Sequence, residues 1–474
     1  MPGYLPTPYL LFTSLLLAFQ HQAHTRGSST ALIVDNGERF TWSQLATFVD
    51  STACYLQRRI ADSTNTPRHL GYLSRNSLDD VVLTLAAAKL GAINVPLNEL
   101  AGEAHALVLW QRVGGHWIDE AEAKLASSSP AKNLEFPNNA PSSPALILWT
   151  SGTSGTPKGV VLSHQSLASN ASAKLGAVPQ SIEDVRLTCL PLSHAYARTC
   201  DFGTWLLSGC TLALTRGFDG WRRLASEVHP TMANVVPSVA DRLLEGDPSE
   251  LGLSRLRVLG VGGAGLSAEA FERWKQRGVV VTQGYGCTET APVICSATPR
   301  DAAAGRVGKP VEGWETQIRN GRLFVRGKHL MLGYWQDADA TRKRIDSDGW
   351  FDTGDLVNID QASGQYRILG RDDEVIVLPN GHKVYPASIE AIANSLPDVR
   401  HAVLRQERGQ LHLWIESENN KPLTERILAA LSDRASWEIP KKIHRFETPL
   451  STIDGELTSK GTICRTMIEK HRFG

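Results

Sequence analysis

The chain has no long run of like charge, no paired-cysteine spacing, no internal repeat and no apolar stretch long enough to cross a bilayer. Each gap removes a class of function. Lys plus Arg and Asp plus Glu stand at 49 each, so neither a polyanion-binding tail nor a steering field is expected, and nucleic acid is not an expected partner. The seven cysteines (Cys54, Cys189, Cys200, Cys210, Cys287, Cys295, Cys464) are scattered and odd in number. That pattern argues against a disulfide framework or a zinc site and fits a reducing cytoplasm. The apolar residues 9–19 follow no Lys or Arg, are interrupted by Thr13 and Ser14, and run into Gln20, His21 and Gln22. They read as a first helix packed on the core, not as a targeting or membrane-spanning segment. Peripheral contact with a membrane stays compatible with this composition.

What is present is enough apolar material, 42% of 474 residues, for a large core and two or more domains. From about residue 30, short β-branched or aliphatic runs alternate with stretches of helical period, the pattern of an α/β fold with parallel-sheet elements. Residues 41–58 read as a helix with Ser43 as a cap, 70–73 as a strand, 79–90 as a helix stopped by Gly91, and 92–96 as a strand. Residues 119–143, poor in large apolar groups, read as surface connection. The predicted architecture is a large N-terminal domain of mixed and parallel sheets flanked by helices, residues 1–371. A small α+β domain of residues 372–474 follows, opening on Asp372, Asp373 and Glu374 and carrying a Pro-Asn-Gly turn at 379–381.

The densest chemical signal is Leu146-Ile-Leu-Trp-Thr-Ser-Gly-Thr-Ser-Gly-Thr-Pro-Lys-Gly159, followed by the strand-like Val160, Val161 and Leu162. Glycines let backbone N–H groups approach phosphate oxygens, hydroxyls add donors, and a lysine supplies charge. It is not a Walker A loop, because Gly159 replaces the Ser or Thr after the lysine and a strand, not a helix, comes next. Taken alone, the stretch also fits a flexible surface hairpin.

This loop resembles the phosphate-binding signature of the adenylate-forming superfamily, which includes acyl-CoA synthetases, luciferases and peptide-synthetase adenylation domains. Further motifs of that family follow in order, together spanning Phe40 to Arg465. In Leu190-Pro-Leu-Ser-His-Ala-Tyr196 the resemblance sets His194 beside the carboxylate pocket. In Gly284-Tyr-Gly-Cys-Thr-Glu289 it implies that Tyr285 stacks on adenine, Thr288 bonds the α-phosphate and Glu289 holds Mg²⁺. It assigns Thr150, Ser151, Gly152, Thr153, Ser154, Gly155 and Lys158 to the phosphates, Gly263 and Ala264 to the edge of the adenine and acyl pockets, and Asp355 with Arg371 to the ribose. The stretch from Gly370 to Pro386 resembles the family's hinge and following hairpin, with Asp373 at the pivot. Its wording, with Leu190 to Thr199 and Leu332-Gly-Tyr-Trp335, is closest to long-chain fatty acyl-CoA synthetases.

Two features resist this reading. Gly260-Val-Gly-Gly-Ala-Gly265 matches GxGxxG literally, but the next strand-like run, residues 279–282, lacks the acidic end that a dinucleotide site requires. The family's catalytic lysine usually follows the glycine of a Gly-Lys-x-x-Arg pattern. Here the chain reads Glu456-Leu-Thr-Ser-Lys-Gly-Thr-Ile-Cys-Arg465, with Thr462 in the usual place and Lys460 before the glycine. Some aryl-CoA synthetases resembling feruloyl-CoA synthetase share that order, so either Lys460 serves by a small loop shift or it is a solvated bystander. The resemblance implies an ATP- and Mg²⁺-dependent ligase that forms an acyl adenylate from a carboxylic acid, expected to be a fatty acid, and passes the acyl group to coenzyme A. Transfer to an acyl carrier protein thiol and a catalytically weak ATP-binding relative are the alternatives.

Overall fold

Aliphatic runs separated by helical segments become parallel strands joined by crossovers, since parallel neighbours need a dozen or more connecting residues. The computed structural model describes residues 12–61, 68–131, 136–150, 157–396, 398–417, 423–452, 454–458 and 463–474. Its largest sheet has nine strands. In spatial order they are Lys309–Pro310, Val293–Ser296, Val280–Gly286, Val258–Val261, Met232–Val235, Val185–Thr188, Thr211–Leu214, Thr30–Val34 and Arg39–Thr41. The inner strands, from Val280–Gly286 to Thr30–Val34, run parallel, and antiparallel pairs close both edges. A six-stranded sheet follows the order Gly333–Tyr334, Lys158–Ser163, Pro144–Thr150, Ile93–Asn98, His69–Ser74, His116–Trp117.

Both sheets belong to one compact unit, made of the residues up to Thr150 with Lys158–Glu315 and Val325–Phe351. Helix His164–Ala177 touches strands of both. Helices Leu15–Thr25, Trp42–Ala61 and Leu78–Leu90 share an apolar core with it, built on Phe19, Trp42, Leu45, Val81, Leu85, Ala171 and Trp205. Trp42 and Trp205 stack there with ring centroids 5.0 Å apart, both wholly buried. Each large apolar side chain so buried contributes about 1.5–3 kcal/mol.

A second compact unit takes Thr316–Phe324 and Asp352–Gly474. Within it, residues 316–319, 322–324 and 352–359 and strand Tyr366–Arg371 belong to a four-stranded sheet, followed by the hairpin Ile376–Val377 with Lys383–Val384. A three-stranded sheet of Lys442–Arg445, Gln410–Glu416 and His401–Glu407 then packs its own core around Ile389, Leu404, Leu413 and Ile427.

Several local expectations meet their outcome here. Gly91 stops its helix in a left-handed conformation, φ 65°. The first helix packs on the core through Ala18 and Phe19, but it starts at Leu15 and runs to Thr25, because Ser14 caps it through the Leu17 N–H. Ser43 is not the cap of the second helix. Thr41 and Gln44 bond each other reciprocally, the Thr41 hydroxyl accepting from the Gln44 N–H and the Gln44 amide oxygen from the Thr41 N–H. The stretch read as surface connection holds helix Glu120–Ser128, capped by Asp119 and buried through Ala123 and Ala126. No helix among the described residues is long and apolar enough to cross a membrane.

Candidate active site

Strand Val185–Thr188 lies between Thr211–Leu214 on one side and Met232–Val235 on the other. The chain visits those neighbours in succession, so the winding of the sheet changes direction there. Open α/β sheets bind ligands outside the carboxyl ends of strands at such a switch. The loop from Leu190 to His194 leaves this point. The exposed Gly263 and Ala264 follow strand Val258–Val261, which pairs in parallel with the strand that carries Tyr285. Gly263 takes φ +86°, open to glycine and strained for other residues.

The single turn Thr288–Thr290 follows Tyr285 and is fixed by the Thr290 hydroxyl, which donates to the Pro292 carbonyl at 2.7 Å. Tyr285, Thr288 and Glu289 are all partly exposed. Glu289 is held from two directions. Its carbonyl accepts from the Met331 N–H at 2.8 Å, and its Oε1 accepts from the Tyr334 hydroxyl at 2.8 Å. Strand Gly333–Tyr334 in turn pairs with Val160 and Val161, just past Lys158, and the Lys158 ammonium lies 5.1 Å from the Tyr334 ring centroid. Burial, then the Glu289 charge, pushes the Tyr334 phenol far above its ordinary range, so it stays a hydrogen-bond donor. Tyr334 thus links the lysine of one motif to the carboxylate of another.

Strands Pro144–Thr150 and Lys158–Ser163 form an antiparallel hairpin in which Thr150 pairs with Lys158. Ser151, Gly152, Thr153, Ser154 and Gly155 lie outside the described residues. His194 is half-buried, with Nε2 3.4 Å from the Asn98 amide nitrogen.

Next to His194, Tyr196 lies over the end of strand Val258–Val261. A Cβ at Gly262 would come within 2.9 Å of its ring, so glycine is what lets the ring approach the backbone. The Tyr196 hydroxyl donates to Asn234 Oδ1 at 3.3 Å, and the Asn234 amide donates to Asp201 at 2.7 Å. Asp201 also accepts from Arg186 and the Thr188 hydroxyl, each at 2.9 Å, while Gln180 takes the other face of Arg186. Burial pushes the Asp201 carboxyl up, and Arg186, Thr188 and Asn234 pull it back.

In the second unit, Asp355 and Arg371 are cross-strand partners, with Nη1 and Oδ1 3.5 Å apart. Arg371 also donates to the Thr353 carbonyl at 2.7 Å. Burial alone would lower the Arg371 pKa, but Asp355, Asp373 and Glu374 outweigh it and raise it above its ordinary value. Gly354, φ +73°, is required at this turn, since a Cβ would strike the guanidinium at 2.7 Å. Lys460 lies outside the described residues. On either side of it Leu457 bridges Ile463, and the Cys464 N–H donates to the Glu456 carbonyl at 2.8 Å.

Tyr334, Asn98, Tyr196 and Asn234 were not read as site residues from sequence. Tyr334 lies within the motif Leu332-Gly-Tyr-Trp335, so its place was marked, but its link to Glu289 spans 45 residues and leaves no local pattern.

Comparison with known proteins gives the family and the fold. The profile described as "AMP-binding enzyme" matches residues 19–114 and 108–335. The chain is 29% identical over 408 residues to the indoleacetate–CoA ligase of Aromatoleum aromaticum, covering 76% of this chain and 78% of that protein. It is 30% identical over 337 residues to a long-chain-fatty-acid–CoA ligase of Yersinia pestis, covering 65% of this chain and 59% of that one. Its fold superposes on the anthranilate CoA ligase AuaEII, crystallised with anthranoyl-AMP, with a TM-score of 0.83 at 20% identity over 97% of both chains.

Proposed function

This chain belongs to the AMP-binding enzyme family, and from that footing we propose that it uses ATP to convert a carboxylic acid to an acyl adenylate and then passes the acyl group to the thiol of coenzyme A. The observation that carries this reading is the Lys158, Tyr334 and Glu289 linkage, which sets a cation and a carboxylate beside the strand end that bears Tyr285 and Thr288.

A carboxylate is a poor acyl donor because oxide cannot leave. Attack of its oxygen on the α-phosphate of ATP forms the mixed acyl–phosphate anhydride and breaks the bond to pyrophosphate, which leaves as an anion; the thiol then attacks the acyl carbon and AMP leaves. Lys158 and the loop 151–155 receive the phosphates, Thr288 donates to the α-phosphate, and Tyr285 offers its ring to adenine. Asp355 accepts from the ribose hydroxyls and Arg371 donates. Glu289 fits Mg²⁺, since its Oε1 is fixed by Tyr334 while Oε2 accepts no hydrogen bond from a described residue. When bound, the ion supplies charge neutralisation for the triphosphate. Lys460 stabilises the charge that builds up on the α-phosphate, and His194 orients the substrate carboxylate. The 372–474 domain turns about Asp373 between the half-reactions, bringing Lys460 for the first and the 379–381 turn for the second.

The motif wording favours a fatty acid. Tyr196 favours a second reading, an aryl or short acid, because its ring lies on the Gly262 strand end, next to Gly263 and Ala264, which the family resemblance sets at the edge of the acyl pocket. A pyrophosphate-exchange screen over fatty and aryl acids of graded length separates the two. Absence of ATP-dependent exchange with every carboxylic acid would refute the activity itself. The Lys460→Ala variant should lose exchange by at least about 100-fold yet still form thioester from supplied adenylate. Unchanged exchange would remove Lys460 from the mechanism.

A further inference from the structure

The helical stretch from Ala195 to Ser208, wound as a π-helix over Arg198–Gly203, points a second arginine inward. Arg198 is 1% exposed. Its Nε donates to the Leu192 carbonyl at 2.8 Å and its Nη1 to the Thr84 hydroxyl at 2.7 Å. Its Nη2 is buried without a hydrogen-bond partner among the described residues. Arg186, a few residues away in space through Asp201, shows what a buried guanidinium ordinarily demands: a carboxylate within ion-pair distance. Arg198 forms no such pair with a described residue. Asp80, which shares the Thr84 and Tyr72 neighbourhood, gives its Oδ2 to the Arg75 and Ser77 N–H groups, and its buried Oδ1 makes no hydrogen bond or ion pair with Arg198.

Arg198 lines a cavity of about 40 Å³ together with Thr84, Asn94 and His164, under apolar walls that include Leu16, Leu146 and Phe202. Asn94 is 3% exposed, and its Oδ1 is also without a partner, while its Nδ2 donates to Thr84 at 3.1 Å. The amide oxygen and nitrogen exchange places by a half-turn that keeps the side chain's shape. Turned over, Asn94 offers its N–H to the cavity, and the Thr84 hydroxyl swings its one proton from the Asp80 carbonyl, 2.6 Å away and still served by its own helix's backbone bond, to the amide oxygen. His164 is 5% exposed and burial lowers its pKa, which keeps the imidazole neutral near pH 7. The wall then carries one positive charge, one further donor and no negative group. A volume of this size holds about three waters or one halide or short carboxylate.

We propose that this cavity is a binding site for a small monovalent anion, held by Arg198 Nη2 and the Asn94 amide and walled by aliphatic side chains. The anion supplies the counter-charge that Asp201 supplies to Arg186. The site lies in the compact unit of the two large sheets and is independent of the ligase reading, so its test needs no substrate.

Melting temperature measured at constant ionic strength separates the sources. Chloride and acetate arms are run against gluconate, which is too large for the cavity. The small anion that binds should raise the melting temperature saturably, by about 2 °C or more, and the other arm identifies whether halide or carboxylate is preferred. Asn94→Asp builds a carboxylate of the same shape into the wall beside Arg198. That variant should fold and lose the anion dependence. Crystals grown with bromide should show an anomalous peak against Arg198 Nη2. Equal melting temperatures of the unaltered protein in all three salts, an anion response that survives Asn94→Asp, or water alone at Arg198 in bromide would each overturn the proposal.

Discussion

Two clusters of like chemistry, one around Asp201 and one around Glu289, differ in how much of their bonding capacity they keep for themselves. In the first, a carboxylate, a guanidinium, two amides and a hydroxyl bond one another, and Asp201 is wholly buried. In the second, Tyr334 engages one oxygen of Glu289, while Lys158 rests over the ring of Tyr334 and makes no ion pair with a described residue. A saturated network is a structural element. An unsaturated one, partly exposed and held on strands, is free to bind. Loss of a group should therefore cost stability in the first cluster and turnover in the second.

The largest expected effect is Asp201→Ala, which strands Arg186 and Asn234 and should destabilise the protein by about 3–5 kcal/mol, read as a lower denaturant midpoint. The exchange rate per folded molecule should change much less. A large loss of rate at unchanged stability would dissolve the contrast.

Next comes a pH effect from the saturated kind of site. His329 is wholly buried, bonded to the Ser169 hydroxyl and the Glu312 carbonyl, and burial lowers its pKa to about 4. The unfolded chain protonates this imidazole near pH 6.5, so between those values the unfolded state binds more protons. Stability is full above about pH 6.5 and falls by about 3 kcal/mol as pH drops toward 4. His329→Gln should flatten that part of the stability profile, and an unchanged profile would show that other groups dominate it.

Glu289→Gln should lower pyrophosphate exchange by about 100-fold, near 2.7 kcal/mol, and raise the Mg²⁺ concentration needed for half-maximal rate, with melting little changed. Exchange at the original rate and Mg²⁺ dependence would take the carboxylate out of the site. The smallest effect belongs to Tyr334→Phe, which frees Glu289 Oε1. A net loss near 1 kcal/mol, about fivefold in rate, is expected, with the melting temperature again little altered.

Features written in consecutive residues were legible in the sequence. Gly91 announced a helix stop because only its left-handed geometry closes that turn. The hydrophobic strand before Thr150 and the return strand after Lys158 announced the hairpin around the phosphate-type loop. The alternation of strands and helices gave the α/β class. Helix Glu120–Ser128 was missed because its buried face is alanine, which pattern reading by large apolar groups does not register. The cap of the second helix was misplaced because Thr41 precedes the apolar period by more than the assumed offset and works as a pair with Gln44. The Tyr334 contact and the Asp201 network were invisible for a different reason. Both depend on chain crossovers that join distant strands, and no local spacing encodes them.

The bridge between Leu457 and Ile463 fixes the two points of the chain on either side of Lys460. Exchanging Lys460 with Gly461 leaves those two points and the number of residues between them unchanged and moves the ammonium by one residue. On the proposed role of Lys460, selection on the order of those two residues would act through catalysis. Inserting or deleting a residue between the two points does alter the span. Length, more than the identity of the residue beside the lysine, is what evolution would be expected to hold fixed there.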